Sequence, residues 1–140
     1  MLSAMDISTS ALVANRARLD AISGNIANLN TVQLVDGQPQ PYAPKFVVFA
    51  ENTDDATASG ATGVEVAEIK ELDATPNYKY EPNNPLAFKS GPHQGFVPYP
   101  GISLNEEFTN ALLATRAYEA NIGVMEISKN LGQQSLRIIA

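Results

Sequence analysis

The chain has 140 residues, a net charge of −6 and no cysteine. This length suits one small domain, and the absence of cysteine excludes disulfides, thiolate metal sites and thiol nucleophiles. The acidic balance and the lack of a Lys or Arg cluster make nucleic acid and anionic membranes poor partners. No apolar run reaches the roughly 20 residues that span a bilayer. The N-terminus shows no secretory signal pattern.

Residues 1–31 predict an amphipathic helix that ends in an asparagine-rich block. Apolar side chains recur every seven residues at Met5, Leu12, Leu19 and Ile26, a spacing that places them on one side of an α-helix. One helix cap needs a single Asn, and Asn28 or Asn30 could serve as that cap. We expect the remaining amides to hydrogen-bond across a helix interface. Within the block, Asn25 and Asn28 lie three residues apart on one face of the helix and are the candidates for such contacts.

The middle of the chain, residues 32–102, predicts short strands and irregular loops. Asp36-Gly37 between two extended runs predicts a type I′ hairpin turn, and residues 45–49 give the clearest strand pattern. Residues 64–70 predict a strand that has a bulge or is covered on both faces. Residues 82–101 are rich in Pro and Gly, so we expect little regular structure there.

Residues 104–139 predict one long helix of roughly 50 Å. Two series at seven-residue spacing would form its apolar seam: Leu104, Ala111, Tyr118, Met125, Gly132 and Ile139, and Phe108, Thr115, Ile122, Lys129 and Leu136. A helix of this length cannot bury such a seam against a small domain, so it needs another long helix. The same helix carries an Arg116–Glu119 pair and alanines at every third position from 111 to 120, a pattern that lets another helix approach closely.

These elements together predict an α+β fold. The long N- and C-terminal helices would form a coiled-coil-like stalk, with a small β-rich insert between them. Residues 1–31 and 103–140 would make the helical axial core domain, and residues 32–102 the insert with its irregular loops.

The residues offer little for catalysis or for binding small molecules. His93 is the only histidine and has no candidate nucleophile near it in sequence. The adjacent pair Asp54-Asp55 would make only a weak cation site without further oxygen ligands. We therefore expect no enzyme activity, no cofactor, no metal and no small-molecule substrate.

Several blocks in order along the chain resemble the rod and hook families of bacterial flagellar axial proteins. They are SGNIANLNT, VDGQP, KFVVF, YEPNNPLA, GFVPYPGISL and ATRAYEANI. Together with the chain length, they resemble the proximal-rod branch of these families over essentially the whole sequence. One departure is the loop 86–94, which is longer than the short Asp- and Asn-rich turn usual in that branch.

The resemblance implies a structural subunit that polymerises helically through its terminal helices. The polymer would be the hollow drive shaft that transmits torque from the basal-body ring to the hook. Implied partners are copies of the chain, other rod proteins, the junction protein between the MS ring and the export gate, and the flagellar type III export apparatus. The implied location is the periplasmic rod, reached without a cleaved signal peptide.

The resemblance and the helix patterns together assign residues to the subunit interface. Those on the N-terminal helix and its asparagine block are Leu12, Leu19, Asn25, Ile26, Asn28, Asn30 and Thr31. Those on the C-terminal helix are Arg116, Tyr118, Glu119, Asn121, Ile122 and Met125. Three alternatives stay open at this point: another rod- or hook-type axial protein, a soluble coiled-coil adaptor or export chaperone, and a wall-degrading enzyme whose acidic pair is not found.

Overall fold

The computed structural model describes residues 2–53 and 60–139. Its two helices are α1 (Leu2–Ala27) and α2 (Leu104–Ile139). Six strands lie between them in the described part of the chain: β1 (Val32–Val35), β2 (Gln38–Pro41), β3 (Lys45–Asn52), β4 (Gly63–Glu71), β5 (Asn77–Tyr80) and β6 (Phe96–Tyr99). The bounds of α2 confirm the helix predicted for residues 104–139. Asp54 and Asp55 lie outside the described residues.

The strands pair into three separate antiparallel hairpins, β1–β2, β3–β4 and β5–β6. The predicted turn at Asp36-Gly37 is confirmed, because both residues have positive φ, 52° and 77°, as a type I′ turn requires. The bulge predicted for residues 64–70 is also confirmed. Val48 faces Glu68 while Phe49 faces Val66, so Ala67 is the extra residue of β4. Residues 82–101 contain one four-residue strand, β6, and otherwise turns and irregular chain, so the expectation of little regular structure there is confirmed.

The two helices pack antiparallel to each other. Nη2 of Arg18 donates to Oδ1 of Asn110 at 3.3 Å, and Nδ2 of Asn25 donates to Oε1 of Glu107 at 3.3 Å. The partners on α2 therefore come earlier in the sequence as the residues on α1 come later. One helical turn away from this pair, each helix carries an alanine: one lies four residues before Arg18 in α1, and the other lies four residues after Asn110 in α2. These are Ala14 and Ala114, which are 1% and 0% exposed. The helices therefore approach closely over small side chains.

The predicted arrangement of a coiled-coil-like stalk with a small insert was wrong, although the α+β content is correct. The middle of the chain forms three hairpins, and one of them, β3–β4, lies along α1. The helices are also unequal, with 26 residues in α1 and 36 in α2. Large apolar residues near the end of α2 lie in solvent, including Ile138 at 86% exposure. The helix pair is therefore not a closed coiled coil.

The sequence of α1 explains why it contacts both α2 and a hairpin. Its apolar residues surround the helix, so that more than one side can be covered. Near its start, Oγ of Ser10 accepts the main-chain N–H of Val64 at 3.1 Å. Position 63 has no room for a side chain, because a Cβ there would lie 2.7 Å from that same Oγ, and glycine has none. Ser10 thus attaches α1 to β4, and Asn25 attaches α1 to β3, as described below. Neither described helix is long and apolar enough to cross a membrane.

Candidate subunit interface

Asn25 joins α1, β3 and α2 at one point. Its side chain is 3% exposed. Nδ2 donates to the carbonyl of Lys45 at 2.8 Å and to Glu107, and Oδ1 accepts the N–H of Lys45 at 2.8 Å and the hydroxyl of Tyr42 at 3.4 Å. All four hydrogen-bonding positions of the amide are thus used within the chain. The role of Asn25 between subunits stays a prediction.

A pocket of about 190 Å³ opens beside Asn25 at the junction of α1, β3 and α2. Arg18, Lys45 and Glu107 supply its charged groups. Among the described residues, Oε2 of Glu107 is a buried side-chain oxygen without a hydrogen-bond partner in the chain. A buried carboxylate oxygen in a polar pocket is a position that water commonly fills.

The other polar residues of the asparagine-rich block close the end of α1. Nδ2 of Asn28 donates to the carbonyl of Gly24 at 2.8 Å, and Oδ1 of Asn28 accepts the hydroxyl of Thr31 at 3.0 Å. The same carbonyl also accepts the main-chain N–H of Asn28 at 3.0 Å, so the side chain adds a second hydrogen bond to it. Asn30 is exposed. Of the predicted interface residues here, Asn25 and Asn28 have clear roles inside the chain, and Asn30 faces solvent.

The predicted apolar residues of α1 are only partly covered. Leu12, Leu19 and Ile26 are all half-buried. They therefore retain surface that a neighbouring subunit could cover.

The predicted interface residues of α2 lie on different sides of the helix. Tyr118, Asn121 and Met125 are half-buried on the side that faces α1. That side, which we call the inner stripe, consists of Glu107, Ala111, Ala114, Tyr118, Asn121 and Met125. It is narrow, and its residues are small or polar except for Met125. Phe108, Ile122 and Leu136, from the second series of the predicted seam, lie in solvent, so α1 of the same chain does not cover them. Their contact with a neighbouring subunit stays a prediction.

Two apolar flanks lie on either side of the inner stripe. Flank A consists of Phe108, Ile122 and Leu136, and flank B consists of Leu113, Val124, Ile127, Leu131 and Ile138. Their exposure ranges from 39% at Ile122 to 86% at Ile138. At about 100° per residue, the two flanks lie on roughly opposite sides of α2. Flank B is contiguous along α2, and exposed apolar surface of that kind marks a site of protein association. In flank A, Thr115 and Lys129 separate the apolar residues.

A polar stripe separates the flanks on the side of α2 away from α1. It consists of Arg116, Glu119, Asn130, Gln133 and Arg137, all exposed, and Leu112 interrupts it near the start of α2 at 59% exposure. Nη1 of Arg116 and Oε2 of Glu119 are 2.9 Å apart. With side chains 73% and 56% exposed, this ion pair contributes little to stability.

Flank B was missed in the sequence although its signal is there. Residues 113, 117, 120, 124, 127, 131, 134 and 138 alternate four- and three-residue spacings, and all except Gln134 are apolar. This is the spacing of a coiled-coil seam.

Among the described residues, no cluster of His, Cys, Asp or Glu could hold a metal ion.

Comparison with known proteins identifies the family of the chain. The family described as "Flagella basal body rod protein" matches residues 5–32, and "Flagellar basal body rod FlgEFG protein C-terminal" matches residues 93–138. The flagellar basal-body rod protein FlgC of Escherichia coli O6:H1 is 37% identical over 138 residues, covering 99% of this chain and 97% of the relative. The chain belongs to the FlgC family of flagellar basal-body rod proteins.

The FlgC proteins of two other bacteria give the same result. The FlgC protein of Borreliella burgdorferi is 33% identical over 150 residues, covering 99% of this chain and 97% of the relative. That of Bacillus subtilis is 30% identical over 146 residues, with 96% and 95% covered. The predicted family and the predicted role as a structural rod subunit, not an enzyme, are confirmed. The rod-family matches include most of α1 and α2, the elements that carry the candidate interface.

Proposed function

We propose that this chain is a subunit of the proximal rod that polymerises helically through α1 and α2. The observation that carries the proposal is the exposure of both apolar flanks of α2, since the single α1 of the same chain covers only the inner stripe. Burying one large aliphatic or aromatic side chain contributes about 1.5–3 kcal/mol. A row of subunits that covers these flanks would gain that stabilisation at every contact, which suits a stiff shaft that transmits torque from the basal-body ring to the hook.

The position of the polar stripe supports a hollow assembly. In a tube built from α2 helices side by side, the flanks would meet neighbours and α1 would form an adjoining layer. The polar stripe would then face the aqueous channel. In this arrangement residues 1–31 and 103–140 form the axial part of the subunit, and residues 32–102 lie outside it.

We further propose the partners and the route that the family resemblance implies. The partners are copies of this chain, other rod proteins and the junction protein between the MS ring and the export gate. The chain would enter the periplasmic rod through the flagellar type III export apparatus, with α1 retained. The rod-family match to residues 5–32 supports this, because it makes α1 part of the shared domain. Mass spectrometry of the subunit from isolated basal bodies tests it, and a chain cleaved within α1 would overturn it.

Two matched substitutions on α2 test the polymerisation. In the source bacterium deleted for its own copy, Ile127→Asp places a charge on flank B, and Gln133→Asp places the same charge on the polar stripe. We expect the Ile127 variant to abolish swarming and to leave basal bodies without a rod in electron micrographs. The Gln133 variant should swarm and assemble rods. Normal rods with the Ile127 variant would overturn the proposed use of flank B.

A further inference from the structure

The loop 86–94, in which the chain departs from the short turn of the rod branch, has a defined shape. The N–H of Phe88 donates to the carbonyl of Phe96 in β6 at 3.0 Å. The far side of the loop folds back onto β5, where the ring of His93 stacks on the ring of Tyr78 with centroids 4.2 Å apart. A surface that this loop lines is therefore formed before any ligand arrives.

This loop and the end of β5 line a groove of about 500 Å³, a size typical of ligand sites. Tyr80, on the β5 side, is 64% exposed. Its ring lies directly against Gly95, where a Cβ would be 2.8 Å from ring atom Cε2. Gly95 also has a φ of 83°, which residues with a side chain rarely adopt. Gly95 therefore lets the main chain support the ring, while most of the ring stays accessible.

Polar groups lie beside this ring. Gln94 and Lys89 are both exposed and line the groove, and Lys89 is the one charged residue among the described residues that line it. The neighbouring carboxylate of Glu81 is paired with Lys79 and accepts a hydrogen bond from Asn84. The groove thus combines an aromatic surface, an exposed amide and one positive charge, in a chain whose net charge is −6.

We propose that this groove binds a glycan strand of the cell wall, with one N-acetylated sugar ring lying on Tyr80. The weakly positive C–H groups of a sugar are attracted to the negative face of an aromatic ring. The acetamido group offers one hydrogen-bond donor and one acceptor, which the side-chain amide of Gln94 can pair. The ammonium group of Lys89 complements the carboxylates of the wall peptides.

Other classes of ligand fit this groove less well. Nucleic acid would be repelled by the acidic chain. A helical peptide needs a continuous row of apolar anchor sites, whereas here Tyr80 and Phe88 stand among small and polar residues. The choice of the wall as the source of the glycan rests on the proposed function, because a shaft that runs through the periplasm to the hook would carry the insert past the wall.

Sedimentation with purified wall sacculi tests the proposal. Sacculi freed of protein by detergent and protease would be mixed with the purified full chain and centrifuged. We expect the parent chain and Tyr80→Phe to sediment, and Tyr80→Ala to bind at least tenfold more weakly because the ring is lost. Lys89→Ala should weaken binding severalfold, while Lys70→Ala, which removes an exposed lysine from β4, provides the matched control. Circular dichroism checks that each variant is folded.

NMR spectroscopy locates the bound sugar. Chitotetraose, a soluble chain of four N-acetylglucosamine units, should shift the backbone amide signals of residues 78–96 in the labelled full chain. Maltotetraose has the same number of sugar rings but no acetamido group, and it should leave these signals unchanged.

Three outcomes would overturn the proposal. The parent chain could stay in the supernatant, or Tyr80→Ala could sediment as strongly as the parent. Sedimentation only with sacculi that retain their proteins would show that the partner is a protein. The proposed function fails in a different way, because binding to sacculi is measured on the free chain, whereas polymerisation is measured by rod assembly in cells that carry the α2 variants.

Discussion

Asn25 pairs with both main-chain groups of Lys45, twenty residues further along the chain. The amide oxygen accepts the N–H of Lys45 and the amide nitrogen donates to its carbonyl, each at 2.8 Å. This side chain therefore gives the first residue of β3 the hydrogen bonds that a neighbouring strand would otherwise supply. It fixes the start of the β3–β4 hairpin against the end of α1.

Replacing Asn25 by Ala should destabilise the chain markedly. The substitution leaves the main-chain groups of Lys45 without these partners and removes a donor to Glu107. Losing a partner of a buried polar group costs about 1–3 kcal/mol. Urea unfolding of the purified full chain, followed by circular dichroism, measures the change. Asn30→Ala, at an exposed site of the same block, should stay within about 0.5 kcal/mol of the parent. Equal stability of the two variants would contradict the assigned role of Asn25.

Enlarging Ala114 should force α1 and α2 apart. Ala114 is fully buried on the inner stripe, at the level of the equally buried Ala14. Ala114→Leu should lower the free energy of unfolding by about 1–3 kcal/mol, because the helices have no space for the added atoms. Ala120→Leu makes the same change on the exposed side of α2 and should leave the stability of the free chain nearly unchanged. A stable Ala114→Leu variant would show that the helices are not in close contact there.

These two sites show why only part of the structure could be predicted from the sequence. The bounds of α2 and the turn at Asp36-Gly37 rest on periodicity and local turn chemistry, so the sequence suffices for both. The side of α2 that meets α1 does not follow hydrophobicity, since close approach over Ala114 decides it while larger apolar residues remain outside. The Asn25–Lys45 contact joins distant residues whose local patterns contain no trace of the pairing.

The β5–β6 hairpin should lose stability in acid through Glu81. Hydrogen bonds from Lys79 and Asn84 lower the pKa of the Glu81 carboxyl, and Tyr99 adds a smaller effect in the same direction. Nζ of Lys79 is 2.8 Å from Oε1 of Glu81. Because the folded-state pKa lies below the unfolded one, this stabilisation is present above the ordinary Glu value of about 4.3. It is lost as the pH falls through the folded-state pKa.

Carbon-13 NMR titration of the Glu81 carboxyl measures this effect directly. The midpoint should lie below the ordinary value in the parent chain and should rise in Lys79→Met. Lys70→Met, which removes a lysine from β4 instead, should leave the Glu81 midpoint where it is. A parent midpoint at or above the ordinary value would show that these hydrogen bonds do not form in solution.

Gly123 should be a weak point of α2 that alanine can strengthen. A Cβ at this position would have no atom within 4 Å, so packing inside the chain gives no reason for a glycine. Glycine in a helix interior is less favourable than alanine by about 1 kcal/mol. Gly123→Ala should therefore slow amide hydrogen exchange in the surrounding turns of α2 by roughly fivefold, if these turns open locally.

The same substitution at Gly101 provides a control of opposite sign. A Cβ there would collide with the carbonyl oxygen of Thr75, so Gly101→Ala should destabilise the chain. Unchanged exchange in Gly123→Ala would mean that this part of α2 is not helical in the free chain. If exchange became slower and the rods were nevertheless defective, loss of folding could not explain the rod defect, because the free subunit would be intact. Since the space around Gly123 is open within the chain, the added methyl group would then be obstructing a neighbouring subunit.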